Sequence, residues 1–113
     1  MTGSQVAPPT APFAAHVAQD GARGFVRLVG ELDVATLQRA ENALAQAEEG
    51  GPPLLEVDLS TLVFMDSTGL RLMLRARRRA LDDGRRLVVH RGPQAVQRVF
   101  EITALSPLFE FVD

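Results

Sequence analysis

With 113 residues, 46% of them hydrophobic and 23% charged, the chain has room for one soluble globular domain that buries about two-thirds of its unfolded surface. No apolar run approaches the ~18 residues that cross a bilayer, residues 1–12 lack the basic start and apolar centre of a secretory leader, and the absence of cysteine removes disulfides, thiolate chemistry and cysteine-based zinc sites. A cytoplasmic protein is the expectation. The net charge of −2 hides a −6 excess in residues 1–66 and a +6 excess in residues 71–91, with arginine as the sole basic residue; this predicts a two-signed surface rather than the domain-wide basic excess of a nucleic-acid binder.

In chain order, residues 1–12 carry Pro8, Pro9 and Pro12 among small polar residues and read as a flexible tail. Phe13 to Val17 and Phe25 to Gly30 read as strands joined across Asp20-Gly21-Ala22-Arg23-Gly24, an antiparallel hairpin. From Val34 to Glu49, Leu37, Ala40, Leu44 and Ala47 recur at helical spacing. Asp33 and Thr36 are both candidate caps for that helix, and Gly50-Gly51-Pro52-Pro53 ends it. Leu54 to Leu59 is a strand; helical spacing then runs from Ser67 to Leu81, with Leu70, Met73, Leu74 and Leu81 on one side. Leu87 to His90 is a short buried strand. Pro93 opens a helix over Gln94 to Ile102 with Val96, Val99 and Phe100 on its apolar face, and Leu108 to Val112 is a candidate final strand. Strand–helix–strand units force parallel neighbours, so the expected fold is α/β, a mixed four- to five-stranded sheet with an antiparallel N-terminal hairpin and amphipathic helices packed on it.

Asp66-Ser67-Thr68-Gly69 sits where an apolar run gives way to helical spacing. A helix cap explains it: Asp66 or Ser67 would accept from orphan N–H groups, worth about 0.5–2 kcal/mol. Two features point further. The small Ser-Thr-Gly run leaves the backbone open to a partner, and Phe64-Met65 places large apolar residues where a loop is usually polar. Met65 is an adaptable contact if exposed and core if buried. A hydroxyl here also suits a charge switch, because phosphorylation adds about −1.5 to −2 charges and three acceptor oxygens that the helix dipole tolerates. The fold should survive modification while a partner packing acidic or apolar groups on that spot is repelled. Asp66, and Asp33 if it lies across the surface, would sharpen the repulsion.

Gly30-Glu31-Leu32-Asp33, Val57-Asp58-Leu59-Ser60 and Phe64-Met65-Asp66-Ser67-Thr68-Gly69-Leu70 together resemble the bacterial anti-sigma factor antagonists, built on the STAS domain, over about Phe13 to Val112. The resemblance implies a STAS-like domain over residues 13–113. It implies that Ser67 is the serine phosphorylated by a cognate anti-sigma factor, itself a serine kinase. The unphosphorylated form would bind that kinase and free a sigma factor, and a serine phosphatase would reset the phosphorylated form. Asp33 matches an acid that lies near the serine and aids recognition. The partner surface expected on this basis comprises Asp33, Met65, Asp66, Ser67, Thr68, Gly69, Leu70 and Arg71, on a monomer or weak homodimer. Many members carry a glycine where this chain has Arg71, a long cation beside the phosphoacceptor able to alter partner choice or steady a phosphoserine. Thr68 is a second hydroxyl available for modification.

Other functions fit less of the sequence. The arginines at 71, 75, 77, 78 and 79 have no interleaved aromatic residues and read as a solvated helix face. A hydrolase using Ser67 would need His16 or His90 within hydrogen-bond reach, and the Gly-x-Ser-x-Gly elbow is absent. No Gly-rich Lys loop for a nucleoside triphosphate and no metal-ligand spacing is present. A non-enzyme without cofactor, metal, nucleic-acid or membrane partner is expected. A STAS regulator or scaffold acting on a kinase outside sigma-factor control is the alternative.

Overall fold

The computed structural model describes residues 12–113, so the flexible-tail reading of residues 1–12 falls, but for Pro12, outside the described residues. The elements are β1 (Ala14–Gln19), β2 (Arg23–Leu32), α1 (Leu37–Glu48), β3 (Leu54–Met65), α2 (Ser67–Asp83), β4 (Arg86–His90), α3 (Gln94–Ile102), a 3-10 turn (Ser106–Leu108) and β5 (Glu110–Val112). They form one five-stranded sheet in the order β1-β2-β3-β4-β5. The β1–β2 hairpin is antiparallel and every later pair parallel, as the alternation of strand and helix demands.

Alternation along the strands divides the sheet into two chemically distinct faces. Val26, Leu28, Leu55, Val57, Leu59 and Val89 are buried, in one core with Ala40, Leu44 and Ala47 of α1, Leu72, Met73 and Ala76 of α2, and Val96 and Phe100 of α3. Three of the four stripe residues expected on α1 are fully buried. On α2 the stripe is Gly69, Leu72, Met73, Ala76 and Ala80, and Leu81, expected in the core, is 62% exposed. Ala80 takes its place because a 3.6-residue period from Met73 and Ala76 reaches position 80, while 81 lies a further 100° round the helix.

The opposite face is charged. Arg23 donates to Glu56 at 2.6 Å, His90 Nε2 lies 2.8 Å from the other Glu56 oxygen, and Arg86 pairs with Glu110. Arg23 and Arg27 both lie over the Phe25 ring, at 5.6 and 5.7 Å. Most of these groups are half-exposed, where such pairs contribute little. Asp58 differs, being buried while it accepts from Arg27 Nε at 3.0 Å and from the Ser60 N–H at 2.8 Å. Burial pushes its carboxyl up, but the hydrogen bonds from Ser60 and Arg27 outweigh burial and hold it below the usual range. A depressed folded-state pKa contributes stability that is present above the unfolded value, about 3.9, and is lost as pH falls through the folded value. Asp58→Asn should therefore lower stability at pH 7 by about 1–2 kcal/mol and flatten the decline below about pH 4. Urea titrations at pH 7 and pH 3 check this; an unchanged acid slope would contradict it.

Two boundaries differ from expectation. β3 does not stop at Leu59 but runs to Met65, because the second half of β2 supplies a partner: Val29 pairs with Thr61, Gly30 with Leu62, Glu31 with Phe64 and Leu32 with Met65. Two register slips and the positive φ of Gly30 (93°) mark bulges that let the pairing continue. Helix α1 begins at Leu37 rather than Val34, since a turn at residues 33–36 comes first, and Val34 is left 78% exposed.

Candidate functional site

The long β3 carries the Asp66 segment to the C-terminal end of the two central strands. Leu32 and Met65 pair in register, and the Asp66 N–H donates to the Leu32 carbonyl at 3.4 Å. Asp33 and Asp66 thus leave the sheet side by side, each opening the turn into its helix.

Cap and exposed hydroxyl fall on different residues. Asp66, with extended backbone, is the N-cap of α2, and its Oδ1 accepts from the Thr68 N–H at 2.9 Å. Ser67 is the first helical residue; it is exposed, and its hydroxyl makes no hydrogen bond among the described residues. The Thr68 side chain is half-buried. Asp33 organises its own turn: Oδ1 accepts from the Ala35 N–H at 3.0 Å, and its N–H donates to Thr36 Oγ1 at 3.1 Å. Thr36, at the N-cap of α1, instead donates its hydroxyl to the Glu31 carbonyl at 2.8 Å. Asp33 is half-buried at the same rim.

The expected partner-surface residues divide into two layers. Asp33, Asp66, Ser67, Thr68 and Arg71 reach solvent. Met65, Gly69 and Leu70 do not, and Met65 at 2% exposure is core, correcting its expected place on the contact surface. The register slip between Gly30 and Glu31 interrupts the alternation of β3, leaving Val63 and Phe64 both exposed and turning Met65 inward under the first turn of α2. A Cβ added at Gly69 would lie 2.4 Å from Met65 Cγ and 2.9 Å from Leu32 Cδ2, so a larger residue there would force the Met65 and Leu32 side chains to shift. The exposed apolar residues at this end are Val34, Val63 (50%) and Phe64 (44%). The sequence marks Phe64 as a large apolar side chain in a polar context, whereas helical spacing predicts Val34 inside α1 and the structure leaves it in the turn before that helix.

Neither histidine serves Ser67. His90 pairs with Asp58 in register and bonds Glu56, while His16 pairs with Arg27 at the same level of the sheet. At about 3.3 Å per residue along β3, that level is roughly 20 Å from the end carrying Ser67, so neither imidazole is within hydrogen-bond reach of its hydroxyl. The arginine row reaches solvent, as expected, and is laced with surface bonds: Arg75 bonds Glu41 at 2.9 Å, Arg79 bonds Glu48 at 3.0 Å, Arg77 donates to the Leu108 carbonyl at 2.8 Å, and Arg78 reaches Asp82 of the same helix at 3.3 Å. Among the described residues no group of three or more acidic or histidine side chains could hold a metal ion, and no helix is long and apolar enough to cross a membrane.

The family model described as "Mlab, STAS domain" matches residues 15–110. An anti-sigma-B factor antagonist of Staphylococcus aureus is 32% identical over 83 residues, covering 74% of this chain and 77% of that protein. Among solved structures, an anti-sigma factor antagonist from Mycobacterium paratuberculosis superposes with a TM-score of 0.79 at 24% identity, over 88% of this chain and 85% of that one. The anti-sigma factor antagonist SpoIIAA in its unphosphorylated form gives 0.72 at 23% identity, over 90% and 89%. At these identities the structural likeness speaks to the fold alone.

Proposed function

Because the chain belongs to the STAS-domain family of anti-sigma factor antagonists, we propose that it acts as a phosphorylation-gated ligand of an anti-sigma factor that is a serine kinase. With Ser67 unmodified, the rim formed by Asp33, Asp66, Ser67, Thr68 and Arg71 docks on the kinase, which then releases its sigma factor. Val34 and Phe64 add apolar contact at the edge. Phosphorylation of Ser67 ends the complex, and a serine phosphatase restores it in the cytoplasm. The observation that carries this reading is the division of labour at the start of α2. The cap belongs to Asp66, so the exposed Ser67 hydroxyl is not committed to the fold.

The physics of the switch follows. A phosphate at the first helical residue meets the positive end of the dipole, worth about 0.3–1 kcal/mol to the helix. The same dianion lies beside Asp66 and at the rim that Asp33 shares, so the docking surface becomes strongly negative without unfolding. A partner complementary to the neutral hydroxyl then faces an unpaired, desolvated charge. Incubation with the anti-sigma kinase and ATP, followed by mass-spectrometric mapping, should place one phosphate on Ser67. Phosphate found at Thr68 alone, or no modification of a chain that binds the kinase, would refute the assignment.

A further inference from the structure

We propose that Arg71 clamps the phosphate of phosphorylated Ser67 within the same chain, fixing the charge state of the modified site. This rests on the reading of Ser67 as the phosphoacceptor. Of the five arginines of α2, those at 75, 77, 78 and 79 each have an acceptor: Glu41, the Leu108 carbonyl, Asp82 and Glu48. Arg71 has none among the described residues and is exposed. It follows Ser67 by four residues in a continuous helix, a spacing that brings side chains to the same face with Cβ atoms about 5–6 Å apart. The unmodified Ser67 hydroxyl gives the guanidinium nothing to neutralise. A phosphate there supplies three charged oxygens within reach of a bidentate fork.

The surrounding charges make the clamp consequential. Asp66 precedes Ser67, and Asp33 stands at the adjacent strand end. Both carboxylates disfavour the second ionisation of a phosphate, and Arg71 is the nearest cation along the helix to oppose them. The full dianion is thereby kept at neutral pH, and the guanidinium is withdrawn from any acidic partner. Modification removes an attractive cation from the docking rim as well as adding negative charge.

The test uses full-length chain with phosphoserine installed at position 67 during translation, so that no kinase is needed. Titration by phosphorus NMR should give a second phosphoserine pKa lower in the natural chain than in Arg71→Gln by about 0.3 unit or more. Arg71→Lys should lie between them, and the difference should shrink in 1 M NaCl, where the screening length falls to about 3 Å. Equal values in the natural and Arg71→Gln chains, or a difference that salt leaves intact, would overturn the clamp. That result would leave the switch itself standing. Failure of the kinase to modify Ser67 would remove the switch and leave this titration interpretable.

Discussion

Ser67→Asp should fold like the natural chain and lose the anti-sigma kinase, whereas Ser67→Ala should bind it within a few-fold of normal and escape control. Aspartate at the first helical position is favoured by the helix dipole by about 0.3–1 kcal/mol. The Asp66 cap is untouched, since its bond is to the Thr68 N–H and not to residue 67. Melting temperatures of both variants should therefore lie within a few degrees of the natural one. A charge placed at the centre of a docked surface costs several kcal/mol when unpaired, so a loss of about 100-fold or more in affinity is expected, at 1.4 kcal/mol per tenfold. Calorimetric titration of each variant into the kinase measures it. An unfolded Ser67→Asp would mean that residue 67 serves the fold, and tight binding by Ser67→Asp would mean that the docking surface lies elsewhere.

The second large effect is structural. Phe100→Ala should cost about 3–5 kcal/mol, a large part of the 5–15 kcal/mol that holds a domain of this size. Phe100 is fully buried on α3 and stands edge-on to two rings, Phe109 at 5.2 Å and 76° and Phe111 at 5.1 Å and 80°. Those rings flank and occupy β5, whose three residues pair only with β4. Beyond that short ladder, β5 is held by the Arg86–Glu110 pair and the Arg91 N–H bond to the Val112 carbonyl, and the aromatic trio is what packs it onto α3. The variant should show a urea midpoint lowered in proportion, with amide exchange at Phe111 and Val112 accelerated beyond the global change. Phe100→Leu should cost about half as much. A loss below about 1 kcal/mol for Phe100→Ala would place the anchor of β5 elsewhere.

Periodicity carried most of the fold. α3 occupies the residues that its spacing marked, and β4, the hairpin and the end of α1 lie within a residue or two of their expected places. These are the elements whose apolar pattern is uninterrupted and whose ends are closed by Gly, Pro or Asp. The pattern failed where pairing partners decide. Ser60 and Thr61 broke the alternation of β3, yet the strand continues because β2 runs alongside it through two bulges. Val34 looked like the first turn of α1, yet Asp33 and Thr36 close a turn on one another and delay the helix.

The site divides along the same line. From the chain alone, the Asp66-Ser67-Thr68-Gly69 junction was identifiable as a helix start with a spare hydroxyl, because small polar residues between an apolar run and helical spacing have few other uses. Which residue caps and which is free was settled by the bond from the Thr68 N–H to Asp66. That Asp33 stands beside this junction is a matter of strand pairing between residues 33 positions apart, which no local pattern encodes. The opposed charges of the two halves of the chain were visible as numbers. Only folding turned part of them into pairs, Glu41 and Glu48 of α1 against Arg75 and Arg79 of α2, and left Arg71 without one among the described residues. Local propensity sets where helices and strands begin, through backbone and side-chain chemistry within a few residues. Which side chains meet, and which are left over for a partner or a phosphate, depends on contacts that exist only once the sheet has closed.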